Sequence, residues 1–191
     1  ELGTKWELFD RRLLATAAIF QTTKDKQRTN SETVAGANAG ESRVRGVEFS
    51  VAGKITDQWQ VFGGAVFLDT EVLKSDLPQE IGRRLANIPL TQFALLMTYD
   101  LTDWLKVGGQ AIYSSEIWSG HHAQNDNFYH TTSYWRFDAF AEAELTKNLT
   151  LEIRGLNLTD ELYYDAMYQA HDTFAYVAPG RAGYLTAKWK Y

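Results

Sequence analysis

The sequence predicts an all-β fold: an antiparallel, up-and-down transmembrane β-barrel wall of about nine strands. Three observations predict it. Side chains alternate with period two along most of the chain. Short turns alternate with long polar segments. Tryptophans gather at the short-turn end of the strands.

The strands fall near residues 1–8, 13–22, 43–56, 59–70, 89–100, 104–118, 133–146, 149–157 and 181–191. The first, Glu1-Leu2-Gly3-Thr4-Lys5-Trp6, reads like the middle of a strand and not like a natural start. In the third, Val47, Phe49, Val51, Gly53 and Ile55 alternate with Glu48, Ser50, Ala52 and Lys54. Phe93, Leu95, Met97 and Tyr99 share one face of the fifth. In the seventh, Trp135, Phe137, Ala139, Ala141, Ala143 and Leu145 face away from Arg136, Asp138, Phe140, Glu142 and Glu144. Leu149, Leu151 and Ile153 continue the pattern. The chain closes on Leu185, Ala187, Trp189 and Tyr191, all on one face of the last strand. Several of these runs reach the 9–11 tilted residues that span a bilayer.

Turns at 9–12, 56–58, 101–103 and 146–148 are short and polar. Asp and Asn suit them because their side chains bond the local backbone. The longer polar segments lie at about 22–42, 70–88, 119–132 and 158–179. Trp6, Trp59, Trp104, Trp189 and Tyr191 sit near the short turns, where a membrane interface would bury each ring and leave its polar atom wet. The opposite face carries Glu48, Lys54, Arg136, Asp138, Glu142, Glu144, Glu152 and Arg154. A dry core could not hold these unpaired. A wet or plugged lumen could, and so could a sandwich with a solvated outer face. Strand length, loop asymmetry and the terminal aromatic favour the membrane.

Composition narrows function. The chain has 191 residues, enough for one domain, with mean hydropathy −0.34. It has no run of about 18 apolar residues and opens with no signal-peptide pattern. With no cysteine, thiol catalysis, Cys-based zinc sites and disulfides are excluded within it. A net charge of −5 without a basic run argues against nucleic acid as a partner. No Gly-rich phosphate loop and no Gly-x-Ser-x-Gly elbow is present. The sequons at Asn148 and Asn157 are expected to be accidental.

Asn157-Leu158-Thr159-Asp160-Glu161-Leu162-Tyr163-Tyr164 resembles the Asn-Leu-x-Asp-x-x-Tyr-Tyr signature of TonB-dependent outer-membrane receptors. Pro179-Gly180-Arg181 before an alternating strand with a terminal aromatic resembles their last strand. Arg43-Val44-Arg45-Gly46-Val47-Glu48, Glu1-Leu2-Gly3-Thr4-Lys5 and the stretch Gly82 to Pro89 are similar to further family patterns, in the right order. The resemblance implies a barrel of about 22 strands holding an N-terminal plug that contacts TonB. This chain would then be the C-terminal portion of the barrel, residues 1–191, with the plug outside it. Its first and last strands would each have an open side unless further strands are present.

The resemblance also implies function: import of a ferric siderophore, of catecholate type, across the bacterial outer membrane with TonB-supplied energy. The siderophore is cargo; no intrinsic cofactor, no metal site and no catalysis is expected. Further expected partners are the TonB complex, lipopolysaccharide and outer-membrane lipid, and the barrel-assembly machinery, which reads the terminal strand. Anionic catecholate chelates have aromatic faces, so Arg, Tyr, Trp and His suit them. The candidate ligand contacts in the long loops are Arg83, Arg84, His121, His122, Tyr129, His130, Tyr168 and His171. Lys24, Lys26 and Arg28 would add steering charge. The His121-His122 pair lacks the fixed spacing of a structural metal site, and solvated loop is its ordinary reading. The Tyr163-Tyr164 pair reads first as scaffold. Two other functions compete: a barrel hydrolase, hinted at only by His130 near Ser133, and a passive porin.

Overall fold

The computed structural model describes residues 1–27, 40–75, 78–119, 129–168 and 174–191. Nine strands form one antiparallel sheet, each beside its predecessor in the chain until the last. These are β1 (Leu2–Leu8), β2 (Leu13–Gln27), β3 (Gly40–Lys54), β4 (Trp59–Lys74), β5 (Thr91–Asp100), β6 (Leu105–Ser114), β7 (Tyr134–Glu144), β8 (Leu149–Leu156) and β11 (Ala182–Trp189). A separate hairpin of β9 (Tyr164–Tyr168) and β10 (Phe174–Val177) lies in the segment between β8 and β11. β1 and β11 are the two edges of the sheet and do not pair with each other. The wall is therefore open, as expected.

The registers turn nine alternating patterns into two continuous faces. One row runs Ala17, Phe49, Ala65, Phe93, Tyr113 and Trp135 across β2 to β7. Another runs Val61, Met97, Gly109 and Ala139, then Gly155 on β8 and Gly183 on β11. This face is apolar throughout its middle, and its large side chains are exposed, among them Ile19, Phe49, Phe67, Trp135, Ile153 and Leu185. A soluble sheet would bury such a face, whereas lipid is the solvent that accepts it. Among the described residues no helix is long and apolar enough to cross a membrane.

Trp6, Trp59, Tyr99 and Trp189 occupy the apolar face next to the short turns. A second aromatic band, not foreseen from sequence, lies at the other end of the strands. Trp135 packs against Tyr113 at 4.9 Å, Phe93 at 5.9 Å and Phe137 at 5.9 Å between ring centroids. Ten residues of β7 and its extension separate Trp135 from Leu145. At about 3.3 Å per residue and a tilt near 40°, that is about 25 Å of height, the thickness of the lipid-facing band of such barrels.

The opposite face is mostly polar and interconnected. Lys188 Nζ bridges Glu142 at 2.8 Å and Glu152 at 3.3 Å. Arg154 Nε meets Glu152 at 2.8 Å and its guanidinium lies over the Phe140 ring at 4.9 Å. Thr16 and Ser50 share a hydrogen bond of 2.6 Å. This face also carries an apolar row, Leu14, Ala52, Phe62 and Leu96, in which Phe62 is 67% exposed.

The four short turns fall where expected, and the strands between the long segments run further than expected. β2 and β3 stay paired out to Gln27↔Gly40, and β4 reaches Lys74. Their outer ends are mostly polar and do not alternate, and so read as loop, yet backbone pairing continues, supported by the Arg43–Glu71 and Lys74–Glu41 ion pairs. β6 stops at Ser114, four residues early, and the segment near 158–179 contains the β9–β10 hairpin. Pro89 and Pro179 precede β5 and β11, where a missing N–H is tolerated.

Gly53 holds the β2–β3 end together. Its φ is +136°, and a Cβ there would sit 2.1 Å from the Arg12 carbonyl oxygen, which accepts the Lys54 N–H at 2.8 Å. Gly53→Ala is expected to cost about 1–3 kcal/mol through strain at a conformation only glycine adopts readily. Equilibrium urea unfolding in detergent would measure it.

Candidate loop-side binding site

The β6–β7 ladder does not end with the strands. The Trp118↔His130 bridge has the same register as Leu105↔Ala143, so the hairpin resumes above the membrane band without a slip. Ser119 N–H donates to the Tyr129 carbonyl at 2.9 Å, and Thr131 N–H to the Ile117 carbonyl at 2.9 Å. Thr131 Oγ1 accepts the Ile117 N–H at 3.0 Å, and Ser115, Ile117, Ser119 and Thr131 are all buried. Trp118 and His130 thus continue the row of Ser114, Tyr134, Arg136 and Asp138, on the polar face.

A second segment crosses this platform. After β4, a 3-10 turn (Pro78–Glu80) reverses the chain, and Gly82 and Arg83 return beside Val72, with Val72 N–H on the Arg83 carbonyl at 2.9 Å. Buried Glu80 accepts a hydrogen bond from Ser75. The segment is pinned further by Leu85 N–H to Thr70 Oγ1 at 3.1 Å and Asn87 N–H to the Trp118 carbonyl at 3.0 Å. Asn87 Oδ1 accepts the Met167 N–H at 2.9 Å and so ties in β9.

These constraints deliver Arg84 onto the hairpin. Its guanidinium lies 5.4 Å from the Trp118 ring centroid and 3.4 Å from Glu116 Oε1. On the same indole, His130 stacks at 4.8 Å with 33° between planes. The result is a cation–indole–imidazole tier with one adjacent carboxylate. The Glu116 carboxyl is held below its ordinary range, first by its own backbone N–H, then by the Trp118 indole N–H and by Arg84. A lowered carboxylate pKa favours the folded arrangement above the ordinary carboxylate range, and that contribution fades as pH falls through it. The Arg84–Glu116 pair is half-exposed and contributes little to stability itself.

Below the tier is a buried support. Tyr163 stacks on Tyr134 at 4.3 Å and accepts Arg136 Nη1 at 3.1 Å. Arg136 Nη2 donates to Asp138 at 2.9 Å, and the other Asp138 oxygen accepts the Asn157 N–H at 2.9 Å. Asn157, 1% exposed with φ +50°, exchanges two side-chain bonds of 2.9 Å with the Glu161 backbone. Asp160 accepts the Arg181 N–H at 3.0 Å, which fixes the start of β11. The Asn-Leu-x-Asp-x-x-Tyr run is therefore a knot joining β7, the last loop and β11, and Tyr163 is scaffold.

Of the residues expected to contact ligand, the structure brings together Arg84 and His130. Arg83 is held in the turn by its backbone, its carbonyl accepting the Val72 N–H. Tyr129 is exposed, at the register position next to His130. Tyr168 belongs to β9, and no more than its backbone is described. His121, His122, His171 and Arg28 lie outside the described residues. Trp118 and Glu116 were missed from sequence; extending the β6–β7 register across the loop would have found them. Among the described residues, no group of three His, Asp or Glu is placed to hold a metal. His130 Nδ1 lies 2.9 Å from the Thr131 carbonyl, and no hydrogen bond joins it to Ser133. That geometry gives no nucleophile–base pair.

Comparison with known proteins agrees with this architecture. The family described as TonB dependent receptor-like, β-barrel, matches residues 1–158. The chain belongs to the TonB-dependent receptor family. It is 38% identical over its whole length to a probable TonB-dependent receptor, BfrD, of Bordetella pertussis, and 36% identical to a probable TonB-dependent siderophore receptor, PiuA, of Acinetobacter baumannii. It spans 26% of the length of each. The catecholate siderophore receptor Fiu of Escherichia coli K12 is 34% identical over 85% of the chain and 22% of its own length. The crystal structure of PiuA superposes with TM-score 0.88 at 33% identity, over 99% of this chain and 28% of that one. A closed form of Fiu gives 0.84 at 31%, over 98% and 26%. TonB-dependent receptors are outer-membrane β-barrels of Gram-negative bacteria. The apolar face of this receptor wall accordingly meets lipid and the polar face lines the lumen.

Proposed function

We propose that this receptor chain serves the import of a ferric siderophore of catecholate type across the outer membrane, with energy supplied through TonB. The observation that carries the ligand class is the Arg84–Trp118–His130 tier on the lumen side of the loops. Arg84 offers a cation to an anionic chelate, and the stacked rings offer flat faces to its catechol groups. Fiu and PiuA are named as siderophore receptors, and Fiu as a catecholate one. Arg83, Tyr129, Tyr168, His121, His122 and His171 complete the proposed contact set from neighbouring loops. The exposed lumenal row at Phe62 supports a plug, since a water-filled pore would leave that ring uncovered.

The test is growth under iron starvation. A strain lacking the receptor is supplied with a panel of ferric catecholates, hydroxamates and carboxylates, with and without the receptor restored. Restoration is expected to rescue growth on at least one catecholate, and inactivating TonB is expected to abolish the rescue. Unchanged growth on every catecholate would refute the ligand class.

A further inference from the structure

Glu116 sets a negative charge beside Arg84, the cation that the tier offers to an anionic ligand. It shares the polar face with Ser114 and Trp118, which flank it along the extended strand. Its backbone cannot carry it away. On one side, Ser115 N–H donates to the Thr91 carbonyl at 2.9 Å and Thr91 N–H to Ser115 Oγ at 3.2 Å. On the other, buried Ile117 is bonded to Thr131 through both its N–H and its carbonyl. Any group that accepts from the Arg84 guanidinium therefore comes within one side-chain length of this carboxylate.

The carboxylate keeps its charge when Arg84 turns elsewhere. Its own backbone N–H is the first group that holds it ionised, and the Trp118 indole N–H comes before Arg84. The Arg84 contact, at 3.4 Å, is longer than the roughly 2.7–2.9 Å of a strong charge-assisted bond. Both side chains are also half-exposed. The guanidinium can thus direct its remaining donors to a ligand while the negative charge stays in place. Other carboxylates at this end are engaged away from the tier: Glu71 by Arg43, Glu41 by Lys74 and buried Glu80 by Ser75. A fixed carboxylate beside a recognition cation penalises an anionic ligand in proportion to that ligand's charge.

We propose that Glu116 is a specificity-determining residue that sets the charge of the chelate the tier accepts: among ferric catecholates, it disfavours the more anionic. Arg84 and the stacked rings supply the attraction. Glu116 subtracts from it by an amount that grows with each negative charge the chelate carries. This role rests on the catecholate reading of the Arg84–Trp118–His130 tier, and its test is arranged so that either can fail by itself.

The full-length receptor in detergent is titrated with two hexadentate ferric chelates of similar size. One is a tris-catecholate; in the other a hydroxamate replaces one catecholate and removes one negative charge. The readout is the ratio of their Kd values. Glu116→Gln, which keeps the shape and an acceptor, is expected to shift that ratio about fivefold in favour of the tris-catecholate at physiological salt. Glu116→Asp should keep the wild-type ratio, and so should Glu144→Gln, at the short-turn end of the polar face. High salt should shrink the shift, because the pair is half-exposed. Trp118→Ala is measured alongside. If it weakens both chelates while Glu116→Gln leaves the ratio unchanged, charge selection is refuted and the tier stands. If it weakens neither, the ligand reading fails and the role of Glu116 fails with it. A Glu116→Gln shift that high salt does not reduce, or that Glu144→Gln reproduces, would also overturn the proposal.

Discussion

Replacing Asn157 with alanine is expected to destabilise the receptor by roughly 3–5 kcal/mol, the largest single-residue effect on stability in this wall. Two physical costs combine. The Glu161 backbone N–H and carbonyl each lose a 2.9 Å partner in a site where Asn157 is almost wholly buried. Each stranded group costs about 1–3 kcal/mol. Alanine must also hold φ near +50°, a conformation that asparagine tolerates and alanine resists by about 1 kcal/mol. The Asp138 bond to the Asn157 N–H survives the change, so the loss measures the side chain alone. Heat-modifiability in detergent and urea unfolding read it. Asn157→Asp, which tolerates the left-handed conformation and keeps the acceptor, should fall between wild type and alanine. A loss below about 1 kcal/mol would mean that the knot does not hold the last loop.

The second large effect concerns ligand. Trp118→Ala removes the ring on which both Arg84 and His130 rest, and is expected to raise the Kd for a ferric catecholate about 10- to 100-fold. The direct loss is one stacking surface, and the indirect loss is the positioning of the guanidinium and imidazole. Folding should be spared, because the crossing segment is tied to this position through the backbone, Asn87 N–H donating to the Trp118 carbonyl. Trp118→Phe should recover part of the affinity, since a smaller ring still stacks on both neighbours. Binding to purified receptor, followed by quenching or by labelled iron, gives the numbers. Affinity unchanged in the alanine variant would remove the tier from the site.

The alternation in the sequence carried the wall almost completely. Period two assigns each strand residue to a face, and the registers only had to join those assignments side by side. The short turns were equally legible, because Asp and Asn mark them locally. Strand ends were not. Thr22 to Gln27 are polar on both faces above the membrane, and Thr70 to Lys74 set Val72 and Leu73 side by side on opposite faces; a stretch without alternation looks like loop. The second aromatic band was hidden for a different reason: Phe67, Phe93, Tyr113 and Trp135 come from four strands and meet only through register. The binding tier was half legible. His130 and Arg84 stand out as residue types, but Trp118 reads as one more strand residue until the hairpin is extended across its loop. The Asn157 signature was recognisable as a pattern, and only its bonds to Glu161 and Asp138 explain why those residues are there.

Transport through this wall depends on which of its faces is wet, and neighbouring residues of β6 decide it. Gln110 and Ala111 are consecutive and lie on opposite faces, and the chain contains no cysteine to interfere. In intact outer membranes, a small water-soluble maleimide is expected to label Gln110→Cys and to leave Ala111→Cys unreacted, while a lipid-dissolved maleimide shows the reverse. Equal labelling of both by the water-soluble reagent, or labelling of the 111 position alone, would contradict the barrel-wall account.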